Sequence, residues 1–245
     1  MTIHYLDWPA PKTVKACFTQ RQGGRSDSPF GSFNLGLHVG DDERHVSENR
    51  LILSESVQQN QIHWLEQVHS STVVNVDELY EQKADASFSK KIGQVCSVMT
   101  ADCLPVFLCD EQGTQVAVAH AGWRGLCNGV IQNTASTFKA SPAFMAYLGP
   151  AISQGAFEVG DEVRLAFNEG YPQLNINQYF ISAGLDGKWL ADLYGIAREI
   201  LNYLGIKHIY GGDRCTFSEE ETFFSFRRDH TTGRMANLIW LESPQ

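Results

Sequence analysis

One stretch, residues 99–128, constrains the chain more than any other: MTADCLPVFLCDEQGTQVAVAHAGWRGLCN. Residues 105–109 and 116–119 are short apolar runs rich in β-branched and aromatic side chains, and Glu111-Gln112-Gly113 supplies a turn between them. That pattern predicts a β-hairpin. A hairpin of this length brings its outer ends together, so Cys103 at the head of one strand meets His120 at the tail of the other. A thiol beside an imidazole, with Asp102, Trp123 and Arg124 as neighbours, is either part of a metal site or a nucleophile–base pair. After Gly125 the apolar residues change to Leu126, Val130, Ile131, Ala135 and Phe138, a period near 3.6 that predicts a helix. Residues 120–124 therefore occupy a strand-to-helix turn, where helix N-terminal amides attract anions.

The flanking chain reads as further alternation of strands and helices. Residues 14–20 predict a strand that delivers Arg21 into a long stretch, RQGGRSDSPFGSFNLGLHVGDD, dense in Gly, Ser and Asp. Irregular stretches of that length in compact domains are usually functional or mobile. It holds no GxGxxG or GxxxxGK[ST] spacing, so it is no standard phosphate loop. Within it, Arg21 and Asn34 are candidates to face a ligand. Asp41-Asp42 are good N-caps for a packing helix over residues 43–58, through Val46, Leu51, Leu53 and Val57. His69 stands near the start of a Val-rich strand, and residues 84–87 (ADAS) predict a polar turn.

Residues 94–99 predict a strand that, with 105–109 and 116–119, forms a meander of consecutive strands in a mixed or antiparallel sheet. Residues 146–149 predict another strand, and Asp161 to Gly170 a short helix. Residues 189–204 predict the clearest amphipathic helix, stopped by Gly205. Strands are expected at 207–210, 223–226 and 236–241. With no repeat, low-complexity tract or linker, the chain reads as a single α+β domain over residues 1–245.

Bulk properties exclude several function classes. A formal charge of −9 over 245 residues argues against nucleic acid or an anionic membrane as the main partner, although local arginines can still hold a small anion. No apolar run is long enough to span a bilayer and no signal-peptide core precedes the first strand, so a cytoplasmic protein is expected. The six cysteines form no CxxC pair and are expected to be reduced.

Three donors in the chain suit zinc: His69, Cys103 and His120. Zinc favours thiolate and imidazole, and catalytic zinc keeps three protein ligands and an open position. The rival is a metal-free hydrolase with Cys103 as nucleophile and His120 as base.

The segments QVHS (67–70), TADCLPV (100–106), AHAGWRGL (119–126), LGPAI (148–152), GGDRCT (211–216) and FFSFRRDHTTGRM (223–235), with FTQRQGG and SFNLGLHVGDD near the start, resemble the YfiH/laccase-domain family of bacterial purine-nucleoside-processing proteins. The resemblance covers nearly the whole chain. It implies one α+β unit of four layers, helices outside two mixed sheets, with His69, Cys103 and His120 as metal ligands. It also implies phosphorolysis of adenosine, inosine and methylthioadenosine, and deamination of adenosine to inosine. The implied partners are small-molecule purine nucleosides and phosphate, with the protein a monomer or weak homo-oligomer.

In deamination a water acidified by zinc attacks the ring carbon bearing the amino group, and Asp102 is the candidate to move the proton. In phosphorolysis Arg21, Arg124 and Arg227 are the candidates for phosphate. A copper-dependent, laccase-like polyphenol oxidase with copper at the same ligands is the alternative that the laccase name of the family suggests. The 8 histidines are scattered, however, with no His-x-His pair of the kind multicopper sites use. A link of some relatives to peptidoglycan editing gives the hydrolase rival its motive.

Overall fold

A computed structural model describes residues 3–138 and 143–243. Two mixed sheets face each other. The first has five strands in the order β1 (Ile3–Tyr5), β2 (Val14–Thr19), β14 (Met235–Leu241), β6 (Val95–Thr100) and β3 (Ile62–His63). The second has six, in the order β13 (Ile209–Gly211), β9 (Phe144–Leu148), β7 (Leu104–Asp110), β8 (Val116–Ala121), β5 (Ala86–Ser89) and β4 (Val73–Asn75). β14 and β7 are buried along their whole length, which is why their sequences run apolar without a polar alternate face.

The core falls into layers that follow strand alternation. Val116 and Val118 of β8 and Phe107 and Cys109 of β7 meet Ala16, Val98 and Ile239 of the other sheet. The alternate residues Ala117, Ala119, Leu104 and Val106 face a helical layer. That layer contains α2 (Trp123–Cys127), α3 (Val130–Ala135), α4 (Asp161–Gly170) and α5 (Leu193–Tyr203). On the far side, α1 (Glu43–Val57) packs Leu53 and Val57 against Cys17, Leu238 and Trp240. The result is the expected α+β architecture, helices outside two mixed sheets.

Several local expectations are corrected. β6 does not continue a meander into β7 and β8: it pairs with β14 and β3 in the other sheet, and the chain crosses between sheets over residues 101–103. Consecutive strands predict neighbours, but burying both apolar faces of β7 and β8 requires β6 to lie across from them. The ADAS segment is not a turn. Ala86 begins β5, and Asp85 before it is fully buried. The helix expected from 189 begins at Leu193, because Lys188–Ala191 (β12) pairs with β10 (Glu158–Gly160) and β11 (Phe180–Ser182) in a small antiparallel sheet. Asp192 then caps the helix by accepting from the Gly195 amide.

Residues 223–225 are not a strand. Phe223 and Phe224 are core anchors without a ladder partner, and Ser225 caps the short helix α6 (Phe226–Asp229). Leu51, assigned to the packing face of α1, is 62% exposed, and Asn49 takes the buried position. The helix after Gly125 starts earlier, at Trp123, and breaks at Gly129, whose φ of 86° only glycine adopts readily.

Candidate metal centre

The site lies at one end of the six-stranded sheet, where four strand ends converge. In the β7–β8 pairing Leu104 is opposite Ala121 and Pro105 opposite His120, so the residue before β7, Cys103, lies beside the end of β8. Cys103 and His120 are in phase with Phe107 and Val118, the residues that face the other sheet, so thiol and imidazole share one face. His69 arrives on the loop that leads into β4.

His69 Nε2 lies 3.9 Å from Cys103 Sγ. The two imidazole rings are 4.9 Å apart between centroids. One ligand atom from each of His69, Cys103 and His120 lies within 4.8 Å of the others. Donors around a tetrahedral zinc are roughly 3.5 Å apart, so the three are near ligating positions. Among the described residues this is the one such group of three or more donors.

Glycine makes the convergence possible. A Cβ on Gly122 would sit 2.7 Å from Cys103 Sγ and 3.4 Å from His69 Cδ2, and one on Gly125 would press on the His120 carbonyl at 3.1 Å. The HAGWRG segment therefore needs both glycines to let the β8–α2 turn close over the thiol.

The electrostatics suit a thiolate ligand. Burial alone would push the Cys103 thiol up, but the positive charge and hydrogen bonding of His120, with His69 beside it, bring it down to about 6. Burial likewise opposes charge on His120, yet the Cys103 thiolate and Asp85 raise it to about 9. His120 Nδ1 is 2.9 Å from Asp85 Oδ1, and its backbone N–H donates to the Asp85 carbonyl at 2.7 Å. Asp85 is the residue that the sequence reading missed. Its only signal was an acidic residue just ahead of a small-residue run, which also describes a turn.

A cavity of about 450 Å³ opens above these donors. His69, Cys103, His120 and Asp102 line it, as do Arg124, Arg227 and Arg234, the aromatic rings of Trp123, Phe157 and Phe226, and His38. Arg124 stacks over Trp123 at 4.3 Å and Arg227 over Phe157 at 5.3 Å. None of the three arginines has a carboxylate partner among the described ion pairs, unlike Arg25, Arg44, Arg164, Arg214 and Arg228. Arg234, also missed from sequence, is half-buried and donates only to the carbonyls of Thr232 and Gly233 among its described side-chain hydrogen bonds.

Two candidates lie elsewhere. Asn34 is fully buried and holds its own loop, bonding Gly36, Asp41 and the Arg234 amide. Arg21 donates to the carbonyls of Glu220 and Gly31 and stacks over Phe224. Neither lines the cavity; Asn34 and Arg21 satisfy backbone groups of the Gly-rich loop and tie it to the segments at Arg234 and Glu220. Asp102 does line it, but its carboxylate accepts from Thr216 Oγ1 at 2.6 Å and from the Arg227 amide at 2.7 Å. Its φ of 92° is a left-handed conformation, held where the chain crosses between sheets. Asp102 thus ties Cys103 to the turn that carries Thr216 and to α6.

The family model described as multi-copper polyphenol oxidoreductase laccase matches residues 15–242. The chain is 52% identical over 239 residues to the protein named purine nucleoside phosphorylase YfiH of Escherichia coli (strain K12), covering 96% of each. It is 47% identical over 237 residues to purine nucleoside phosphorylase PA4543 of Pseudomonas aeruginosa, covering 96% of this chain and 97% of that one. Among solved structures it is similar to Neisseria meningitidis protein NMB0706, with TM-score 0.92 and 48% identity over 99% of this chain and 100% of that one. YlmD from Geobacillus stearothermophilus follows at TM-score 0.88 and 30% identity, covering 98% and 97%.

Proposed function

This chain belongs to the multi-copper polyphenol oxidoreductase laccase family, and from that premise we propose that its cavity carries out phosphorolysis of purine nucleosides. The names of the relatives at 52% and 47% identity support the reaction class. The observation that carries the proposal is three arginines, none of them in an ion pair among the described residues, beside aromatic rings and the His-Cys-His donors, all on one cavity. A phosphate dianion needs positive charge, and a purine needs flat apolar surface. Arg124, Arg227 and Arg234 hold phosphate; Arg234 takes the place first given to Arg21. Trp123, Phe157 and Phe226 offer the faces for the base. A phosphate oxygen bonds the ribose anomeric carbon as the bond to the purine breaks, and the electron pair leaves with the purine.

Adenosine, inosine and methylthioadenosine are the proposed substrates, with adenosine deamination to inosine as a second activity. The donor set fits zinc: one low-pKa thiolate, and two imidazoles, one already bonded through its other nitrogen to a carboxylate. Zinc bound there supplies Lewis acidity and acidifies water. His69, Cys103 and His120 hold it, and Asp102, anchored by Thr216, shapes the adjoining wall. Copper could occupy the same donors, but a single group of three does not make a multicopper centre. The free thiols suit a cytoplasmic setting.

The thiolate character of Cys103 favours one rival, a Cys–His hydrolase, which would keep its activity in a chelator. The test is chromatography of products from zinc-loaded protein and adenosine. Adenine that forms only with phosphate supports phosphorolysis, and inosine in either condition supports deamination. Neither product at any metal loading overturns the reading.

A further inference from the structure

We propose that Asp85 is the positioning residue of the three-donor site: one buried carboxylate sets the ring of His120 and the backbone of His69 together, so that both imidazoles face the Cys103 thiol. The inference rests on reading the three donors as a metal site; it does not depend on phosphorolysis.

Sheet register brings Asp85 there. Ala86 is opposite Ala119, which puts Asp85 beside His120 at the same sheet edge. Oδ1 accepts from His120 Nδ1 at 2.9 Å and from the His69 amide at 3.0 Å. Oδ2 accepts from the amides of Val68 at 3.2 Å and Ser70 at 2.6 Å, and from Ser70 Oγ at 2.8 Å. Three successive backbone N–H groups thus converge on one carboxylate, and His69 between its neighbours takes a φ of 59°. A left-handed residue is what curls consecutive amides into an anion-binding concavity. Without the carboxylate, a non-glycine residue has no reason to hold that conformation.

On the other side, a proton on His120 Nδ1 directed at Asp85 leaves Nε2 as the nitrogen for a metal. The two histidines come from different elements, and Asp85 bonds both. It is also fully buried and absent from the cavity lining, so it acts through them and not on substrate.

The test uses the full chain with zinc as the probe. Affinity is measured by competition with a chromophoric chelator, and the cobalt(II)-substituted protein is followed by its visible absorption. Asp85→Asn replaces one acceptor oxygen by a donor group facing amide donors. It is expected to weaken zinc binding by about 10- to 100-fold and to change the cobalt spectrum. Ser70→Ala removes one neutral donor and is expected to weaken binding by about fivefold at most. An Asp85→Asn protein with wild-type zinc affinity and an unchanged cobalt spectrum overturns the proposal.

Nitrogen-15 NMR of the zinc-loaded wild type gives a reading that does not depend on the variant folding. The proposal requires the His120 proton on Nδ1, and zinc on Nδ1 overturns it. A wild type that binds no zinc overturns both this inference and the metal-site reading, whereas a zinc-binding wild type matched by Asp85→Asn removes only the role of Asp85.

Discussion

A buried carboxylate stands at each end of the β7–β8 hairpin, Asp110 on β7 itself and Asp85 just before the neighbouring β5, and the two do different work. At the turn end, Asp110 accepts from the Thr114 amide at 2.7 Å, the Thr114 hydroxyl at 2.5 Å and the Gln115 amide at 2.9 Å. All those donors lie within five residues of it, so Asp110 closes its own turn. At the open end, Asp85 gathers donors from residues 68–70 and 120, segments that the chain connects only through long detours. Identical carboxylate chemistry thus completes a local turn in one place and assembles a site in the other. The difference lies in whether the donors are sequence neighbours or are brought in by sheet order. Only the second arrangement leaves imidazole nitrogens and a thiol facing a cavity.

Four measurements would break or sharpen that contrast. The largest effect is expected of Cys103→Ala: zinc content by elemental analysis falls to background and phosphorolysis goes with it, while far-UV circular dichroism stays native. Full zinc retention would remove Cys103 from the ligand set. Next, Gly122→Ala places a methyl 2.7 Å from Cys103 Sγ. Overpacking of that kind costs about 1–3 kcal/mol, and zinc affinity should drop with stability. Unchanged affinity by chelator competition would mean that the β8–α2 turn is not what positions the thiol.

At the turn end, Asp110→Asn should lower stability by about 1–3 kcal/mol in urea unfolding and leave zinc affinity at the wild-type value. A loss of affinity there would show that the two ends are mechanically coupled. The smallest effect is a pH dependence in metal-free protein. With its pKa near 6, Cys103 is a thiolate above that pH, so alkylation by iodoacetamide should keep its rate from pH 9 down to about pH 7 and fall off below pH 6. Cys17 and Cys96, held as thiols by burial, should stay unmodified, as mass spectrometry would show. A Cys103 rate that climbs steadily up to pH 9 would show an ordinary thiol, unaffected by His120.

Parts of this were legible in the residues. The hairpin and the helices at Glu43–Val57 and Asp161–Gly170 follow from patterns a few residues long, and the structure contains each of them. The error at residues 84–87 has a definite cause: Ala-Asp-Ala-Ser is too short and polar to declare a strand, and β5 exists only because β8 and β4 pair with it. The strand expected at 223–226 failed for the opposite reason, since two phenylalanines were buried by packing without any ladder. Arg21 and Arg234 could not be ranked from sequence, because both are arginines in glycine-containing segments. Their difference is where the loop ends, one under Phe224 and one at the cavity.

By itself the sequence determined the donor types and the hairpin that brings Cys103 near His120. Turn chemistry and strand periodicity act over a few residues and need no partner to be read. The tertiary structure decided that β6 leaves the meander for the opposite sheet, that Asp85 meets both histidines, that His69 is held left-handed, and that Arg234 faces the cavity where Arg21 does not. Each of these depends on strand order and register between distant segments, set by burying two faces of every central strand at once.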